Sequence, residues 1–203
     1  MAVHVHEGDL PAGALTGDVV AIDTETMGLN PVRDRLCLVQ LADGRGDEHL
    51  VRFDRRYDAP NLSAVLADPH RLKLFHFARF DIAVLRHYLG VTARPVWCTK
   101  IASRLTRTYT DRHGLKDLAR ELLGVEISKS QQSSDWGAAE LTEAQKEYAA
   151  SDVRYLHRLK AALEERLKRE GRLALAEACF AFLPTRAELD LAGWADVDIF
   201  AHV

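Results

Sequence analysis

The sequence has few cysteines, no long apolar run and no excess of positive charge. Its three cysteines lie far apart without a C-x-x-C pair, which argues against a structural zinc site and indicates a reducing, cytoplasmic location. No segment approaches the roughly 18 apolar residues of a membrane span, and the first residues do not resemble a signal peptide. With 27 basic and 30 acidic residues the net charge is −3, which argues against constitutive binding to long nucleic acid.

The length and composition are those of one folded domain. The chain has 203 residues, of which 47% are hydrophobic and 28% charged, so it can bury a large core. We therefore expect a single domain over 1–203. Its last part, 172–203, is predicted as a helical extension rich in large apolar residues, which packs on the domain or on a neighbouring subunit.

Hydrophobic periodicity predicts an α/β fold with a mixed sheet flanked by helices. Short apolar runs between turn formers favour strands, first as an antiparallel meander and then alternating with helices, which indicates parallel pairing. The predicted strands are 18–23, 36–41, 49–53, 71–77 and 95–98. The predicted short helices are 61–67, 79–88, 100–105 and 115–123. A capping box at Thr142 predicts the start of one long helix that ends at Gly171.

Four acids and a tyrosine on three separate elements give the strongest chemical signal. Asp23 and Glu25 are two apart at the end of the first predicted strand and therefore face the same side. Asp81 begins a helix directly after another strand. Tyr148 and Asp152 are four apart on the long helix and share one face. We expect these five side chains to converge at one end of the sheet.

Clustered carboxylates of this kind indicate a divalent metal site. Their mutual repulsion requires a compensating cation, and oxygen ligands without His or Cys favour Mg²⁺ or Mn²⁺. Two such ions form a site for in-line attack on a phosphodiester, in which Tyr148 orients the water or helps to deprotonate it. Taken singly, the same residues also fit a solvated strand end, a helix-dipole partner and a packed aromatic.

The order of these residues resembles the three motifs of the DEDDy 3′–5′ exonucleases. The matching segments are D-T-E-T at 23–26, H-F-A-R-F-D at 76–81 and Y-A-A-S-D at 148–152. Segments 113–118 and 129–136 are similar to ribonuclease D, and the resemblance covers about 18–165. It implies an RNase H-like fold, metal binding by Asp23, Glu25, Asp81 and Asp152, and two-metal hydrolysis that releases nucleoside 5′-monophosphates.

Within this superfamily the chain looks most like nanoRNase C, a family of short bacterial enzymes. The similar segments are 100–112 and 182–202. This resemblance implies cleavage of diribonucleotides, including pGpG, and assembly into octameric rings. Unlike ribonuclease D, the chain is expected to have no HRDC domain. Cys98 stands where relatives often have Asp, but since that position is not a metal ligand we expect little effect on the chemistry.

A basic segment is the predicted phosphate-binding region. Residues 100–130 contain seven Lys or Arg and four acids, a net charge of +3, although a solvated helix face would explain about half of them. Arg112, His113 and Lys129 are the candidates for a terminal phosphate. If they bind one, they would act as a ruler for a two-nucleotide substrate.

Further substrate contacts are predicted around the acidic motifs. Met27, Gly28 and Leu29 form a loop that receives the 3′ nucleotide in exonuclease relatives, with an ordinary turn as the alternative. A core role for Phe80 is as good as a place in the base pocket. The other candidates are Thr24, His76, Gln132, Ser134 and Trp136. His4, His6, His49 and His70 are expected to be ordinary surface histidines.

The sequence thus predicts a cytoplasmic exoribonuclease that uses two Mg²⁺ or Mn²⁺ ions and acts on diribonucleotides. One alternative is a ribonuclease D-like enzyme that trims longer RNA or DNA. Another is a non-catalytic nucleic-acid-binding scaffold, against which the intact set of acids speaks. Apart from a short RNA substrate and copies of the same chain, no partner is evident in the sequence, and no membrane association is expected.

Overall fold

The structure, a computed structural model, describes residues 2–128 and 130–202. The strands are β1 (Val3–Glu7), β2 (Val19–Thr26), β3 (Leu36–Ala42), β4 (Glu48–Arg52), β5 (Leu72–Phe75) and β6 (Val96–Cys98). The helices are α1 (Pro60–Ala67), α2 (Ala78–Leu89), α3 (Thr99–Thr106), α4 (Leu115–Leu118), α5 (Glu143–Arg154), α6 (Leu156–Arg169) and α7 (Leu173–Leu189). Two π-helical turns, Ala119–Leu123 and Asp190–Trp194, follow α4 and α7.

The strands form one mixed sheet in the order β1-β4-β3-β2-β5-β6. The hairpins β2–β3 and β3–β4 are antiparallel, whereas β5 pairs in parallel with β2 and β6. The predicted meander followed by parallel strands is therefore confirmed. The α/β fold with flanking helices is confirmed as well.

The sheet is covered on both faces, and this explains its residue pattern. Every residue of the central strand β3 is buried, as a strand between two helical layers requires. One face of β3 and β4 packs against α5 through a small cluster that includes Leu38, Leu50 and Ala149. The opposite face contributes Ile22 and Leu41 to a larger core. Because α5 lies directly on the sheet, its inward side chains meet those of β2.

The structure differs from the predicted elements at three places. Strand β1 was not predicted, because alternating Val and His at an exposed sheet edge is a weak hydrophobic signal. The predicted long helix is broken at Tyr155, so that α5 packs on β3 and β4 while α6 packs on α3. No Gly or Pro marks that break in the sequence. The helix predicted over 115–123 is a four-residue α4 followed by a π-helical turn.

The C-terminal segment is fastened to the helix that carries Asp81. Arg79 of α2 forms an ion pair with Asp190 at 2.5 Å, and Arg186 bonds the same carboxylate at 2.7 Å. Helix α7 buries Ala176, Phe180, Leu183 and Ala187 against the rest of the chain. Beyond it, however, large apolar side chains are exposed, which are Trp194, Val197, Ile199 and Phe200. Packing on the same domain therefore does not account for them.

Two further findings concern the cysteines and the helices. All three cysteines are free thiols. Within the described parts of the chain, none of the helices has the length and apolar character that a transmembrane segment needs.

The structure confirms the predicted capping box at the start of α5. The Thr142 hydroxyl accepts a hydrogen bond from the Gln145 backbone N–H at 3.2 Å, and the Gln145 side chain accepts from the Thr142 N–H at 3.0 Å. Thr142→Ala should lower the free energy of unfolding by about 1 kcal/mol, because it leaves an N–H of the first turn without its acceptor. Thr142→Ser should retain most of the stability. Urea unfolding monitored by circular dichroism measures both, and equal loss in the two variants would contradict the capping role.

Candidate active site

A cavity of about 670 Å³ lies where β2 and β5 end. The sheet contributes Asp23 and Glu25 from β2, while α2 contributes Asp81 from its first turn. Helix α5 contributes Tyr148 and Asp152. All five predicted side chains line this one cavity, because β2 presents alternate residues to α5 and α5 presents every fourth residue to the sheet.

Three of the four acids already form a cluster. Carboxylate oxygens of Asp23, Glu25 and Asp152 all lie within 4.8 Å of one another. Asp81 is buried and accepts a hydrogen bond of 2.6 Å from the Thr24 hydroxyl, which holds it at the end of β2. Thr24, predicted as a substrate contact, therefore also orients an acid.

Burial raises the pKa of each acid, and the charges of neighbouring acids raise the pKa values of Glu25, Asp81 and Asp152 further. Burial is the largest cause for Asp23, whose pKa rises to about 7, and for Glu25, whose pKa rises to about 10 with the nearby acids contributing. The pKa values of Asp81 and Asp152 are also raised, by burial and by the charge of Asp23. The positive charge of Lys116 acts in the opposite direction on Asp152. The cavity is therefore a place where a bound cation would relieve a large electrostatic cost.

Two buried polar atoms beside the acids are left without a partner. Gln40 of β3 faces Asp23, and its Nε2 approaches the Asp23 carboxylate at 3.4 Å, a long hydrogen bond. The Gln40 Oε1 and the Trp136 Nε1 have no hydrogen-bond partner among the residues that the structure describes. Buried polar groups are normally satisfied, and of these two residues only Trp136 lines the cavity.

The junction between β5 and α2 brings an aromatic ring into the cavity, and a lysine of α3 lies against that ring. Phe77 has φ +62° and ψ +45°, a left-handed conformation that is unfavourable for a bulky residue, and 45% of it is exposed. The Lys100 Nζ lies 4.2 Å from the centre of the Phe77 ring. Lys100 and Lys116 both line the cavity. The sequence prediction named none of these three residues as a site residue, although both lysines fall in its basic segment.

His76 is held as a neutral ring at the cavity wall. The Thr99 hydroxyl donates to the Phe75 carbonyl at 3.2 Å, so it is free to accept from the His76 Nδ1 at 2.8 Å. Burial, aided by the charge of Lys100, lowers the pKa of His76 to about 3. The ring therefore offers its other nitrogen, Nε2, as an acceptor at neutral pH.

The structure brings most of the predicted substrate residues to the cavity. Those that line it are Thr24, Met27, Gly28, Leu29, His76, Phe80, Gln132, Ser134 and Trp136. Leu29 is 88% exposed, as a side chain that meets a base would be. Phe80 also packs against the core, so its two predicted roles are compatible. Trp136 is only 3% exposed and packs beside the Tyr148 ring, so its role as a sugar or phosphate contact is limited to its edge.

The predicted phosphate-binding residues lie elsewhere. Arg112 is exposed, and its carbonyl accepts from the buried Arg107 at 2.6 Å. His113 is paired through Nδ1 with the Ser103 hydroxyl at 2.9 Å. Neither residue is among those that line the cavity. Lys129 lies outside the described residues.

A glycine allows the segment around Trp136 to close over the loop that follows β2. A Cβ at Gly137 would collide with the Arg35 guanidinium and the Met27 sulfur. Arg35 Nη2 donates to the Gly137 carbonyl at 3.2 Å across this contact. The close approach places the 132–136 turn on one wall of the cavity and Met27 on the adjoining wall.

Comparison with known proteins agrees with this geometry. Residues 9–168 match the family model described as 3′–5′ exonuclease. Ribonuclease D of Gluconacetobacter diazotrophicus is 38% identical over 157 residues, which are 76% of this chain and 39% of that protein. The chain thus spans about two-fifths of the curated relatives that it matches.

Solved structures extend the similarity to the whole chain. Brucella melitensis NrnC is 59% identical in a structure with bound Mg²⁺ (TM-score 0.96) and 60% identical in one bound to pGG (TM-score 0.97). Both cover 100% of each chain. Escherichia coli RNase D, described as an exoribonuclease involved in structured RNA processing, is 29% identical with a TM-score of 0.75 over 85% of this chain and 45% of that one. The chain belongs to the 3′–5′ exonuclease family.

Metal binding at the acid cluster should be visible as a change in stability. Because Mg²⁺ at about 100 times its Kd adds roughly 2.7 kcal/mol to the folded state, it should raise the Tm by about 5–10 °C. Glu25→Gln should raise the Tm of the metal-free protein at neutral pH, because it removes an acid whose raised pKa makes its burial costly, and should reduce the Mg²⁺-induced increase. Differential scanning calorimetry with and without Mg²⁺ measures both effects. A Mg²⁺ response in Glu25→Gln equal to that of the wild type would count against the site.

Proposed function

We propose that this protein is a metal-dependent 3′–5′ exoribonuclease that hydrolyses diribonucleotides, pGpG included, to nucleoside 5′-monophosphates. The observation that carries the proposal is the cluster of Asp23, Glu25 and Asp152 with Asp81 beside it, in one cavity. The similarity along the full chain to a protein solved with Mg²⁺ and with pGG supports the substrate and the cofactor.

The donor set of the cluster fits hard divalent cations. All of its ligand atoms are carboxylate oxygens, which suit Mg²⁺ or Mn²⁺, and the pKa values raised by repulsion favour cation binding. Asp23, Glu25, Asp81 and Asp152 would hold two such ions. When bound, these ions supply Lewis-acid activation and neutralise the charge that develops at the phosphate.

The chain's own residues position the substrate and the water. Tyr148 lies on the same helix face as Asp152 and lines the cavity beside the acids, where its hydroxyl can orient the attacking water. Lys100 and Lys116 also line the cavity and supply positive charge for the phosphates. Leu29 and Phe77 are exposed apolar side chains at the cavity that can stack on bases.

A short substrate agrees with the size and charge of the site. A volume of about 670 Å³ is that of a site for one small ligand, in which two nucleotides would leave little space for a third. The net charge of −3 also speaks against the extended basic surface that binding of long RNA requires. In the ruler proposed here, Arg112, His113 and Lys129 read the 5′ phosphate. Because Arg112 and His113 do not line this cavity, the 5′ phosphate would have to bind on the neighbouring surface or to these residues of a second subunit.

A second candidate is a ribonuclease D-like enzyme that trims longer RNA or DNA. It is favoured by curated relatives named ribonuclease D, such as those of Gluconacetobacter diazotrophicus and Escherichia coli, and by the open side of the cavity at the exposed Leu29. A non-catalytic scaffold would not need to retain all four acids and the tyrosine in one cavity.

We also propose that the exposed C-terminal surface is an interface between copies of this chain. Such an interface agrees with the ring-like octamers that the resemblance to nanoRNase C implies. Ile199 and Phe200 are 42% and 77% exposed, and the Phe182 ring lies 5.9 Å from that of Phe200. An apolar group of this kind is normally covered. The three free thiols agree with a reducing compartment such as the cytoplasm.

A length series tests the substrate. With Mg²⁺ present, kcat/KM should be highest for a 5′-phosphorylated two-mer and should fall by about 10–100-fold without the 5′ phosphate, the cost of losing one charged hydrogen bond. Seven-mers should be poorer substrates than two-mers. Asp152→Asn is the inactive control on every length and should retain the wild-type fold by circular dichroism. Equal rates on two-mers and seven-mers would favour the ribonuclease D-like alternative.

Light scattering after size exclusion tests the interface. The wild type should elute as a large oligomer, and Phe200→Asp should shift it to smaller species, because a buried charge would be left unpaired in the interface. Val32→Asp changes another exposed apolar side chain, in the segment between β2 and β3, and should leave the oligomer intact. A wild type that is monomeric at all concentrations would contradict the proposal.

A further inference from the structure

Three histidines meet at the β1 edge of the sheet. Strand β3 separates this edge pair, β1 and β4, from β2, which carries Asp23 and Glu25 of the acidic cavity. His4 and His6 alternate on β1, so both side chains leave the same face. His4 lies opposite His49 in the parallel β1–β4 pairing. The neighbours of His49 on β4 include Glu48, which bonds Arg154 of α5 at 2.8 Å, so the histidines lie on the face away from α5.

The three rings and one carboxylate are already in contact. The His6 Nε2 and the His49 Nδ1 are 3.0 Å apart, and the His4 Nε2 is 2.9 Å from the Asp47 carboxylate. The ring centres of His4 and His6 lie 5.2 and 5.3 Å from that of His49, with nearly parallel planes. The ligand atoms therefore form two pairs, side by side, at a surface where the His4 and Asp47 side chains are 44% and 49% exposed.

This donor set differs in kind from the acidic cavity. Three imidazole nitrogens with one carboxylate oxygen suit Zn²⁺ and neighbouring first-row transition ions, whereas the cavity offers oxygen alone. Partial burial and the adjacent histidines lower the pKa values of His6 and His49, so both rings are neutral at pH 7 and can offer lone pairs. Asp43 and Asp47 supply nearby negative charge.

We propose that His4, His6, His49 and Asp47 form a second metal site, which takes Zn²⁺ or a similar transition ion. Binding replaces the His6–His49 hydrogen bond, and the ring that donates in that bond changes tautomer so that its nitrogen faces the ion. His4 is the most exposed of the three rings and is the one that turns to join them. Among the described strands, β1 pairs with β4 alone, so the ion would fasten β1 to the sheet.

Equilibrium dialysis against Zn²⁺ in excess Mg²⁺ tests the site. His49→Gln should lower the affinity for the zinc ion held at this edge by about tenfold or more, since it removes a direct ligand. His4→Gln should also weaken zinc binding. Because His4 is exposed, this variant tests the site even if His49→Gln has a folding defect. His70→Gln alters an exposed histidine outside the cluster and should have no effect. Zn²⁺ should also slow hydrogen exchange of the β1 amides in the wild type but not in His49→Gln.

The acid cluster is the competing location for zinc, and Glu25→Gln distinguishes the two. Zinc binding that survives Glu25→Gln and is lost in the histidine variants supports the edge site. Zinc binding that is lost in Glu25→Gln but unchanged in His4→Gln and His49→Gln overturns it, as does the absence of bound zinc in the wild type. Because the readout is zinc and not hydrolysis, failure here leaves the proposed exonuclease activity untouched.

Discussion

Electrostatic repulsion among four carboxylates in one cavity is the constraint on which the rest of the structure depends. Asp23, Glu25, Asp81 and Asp152 come from three elements. Burial raises the pKa of each, and repulsion by neighbouring acids adds to the shift for Glu25, Asp81 and Asp152. Such a cluster persists only if packing elsewhere holds its members together. The fully buried β3, the capped start of α5 and the Thr24–Asp81 hydrogen bond provide that rigidity.

The same constraint explains why the surrounding groups are polar or positive. The charge of Lys116 offsets part of the rise in the pKa of Asp152, and Gln40 turns its amide toward Asp23. Around the rim, the exposed Leu29 and Phe77 are apolar faces without charge. Acids at the centre, cations on one wall and apolar side chains at the mouth make a site that fits a short phosphate-bearing chain with stacked bases.

Much of this site could be predicted from the sequence, because two periodicities decide it. Residues two apart on β2 and four apart on α5 share a face, so spacing pairs Asp23 with Glu25 and Tyr148 with Asp152. The expectation that both pairs meet Asp81 rested on the order of the elements and on the resemblance to the exonuclease motifs. The left-handed Phe77 could not be predicted, since tertiary contacts and no local residue preference impose its conformation. The break at Tyr155 and strand β1 likewise depend on packing against the twisted sheet. Arg112 and His113 were chosen as phosphate ligands because their segment is basic, and the net charge of a segment does not indicate where its side chains point.

The central claim is that the four carboxylates together hold two divalent ions. Titration with Mn²⁺, followed by the electron paramagnetic resonance signal of the free ion, counts the ions bound per chain. The account predicts two ions in the wild type, close enough for their spins to couple, and fewer than two in Asp81→Asn, whose altered carboxylate lies outside the three-acid cluster. Two ions bound equally well by Asp81→Asn, or a wild type that binds none, would contradict it.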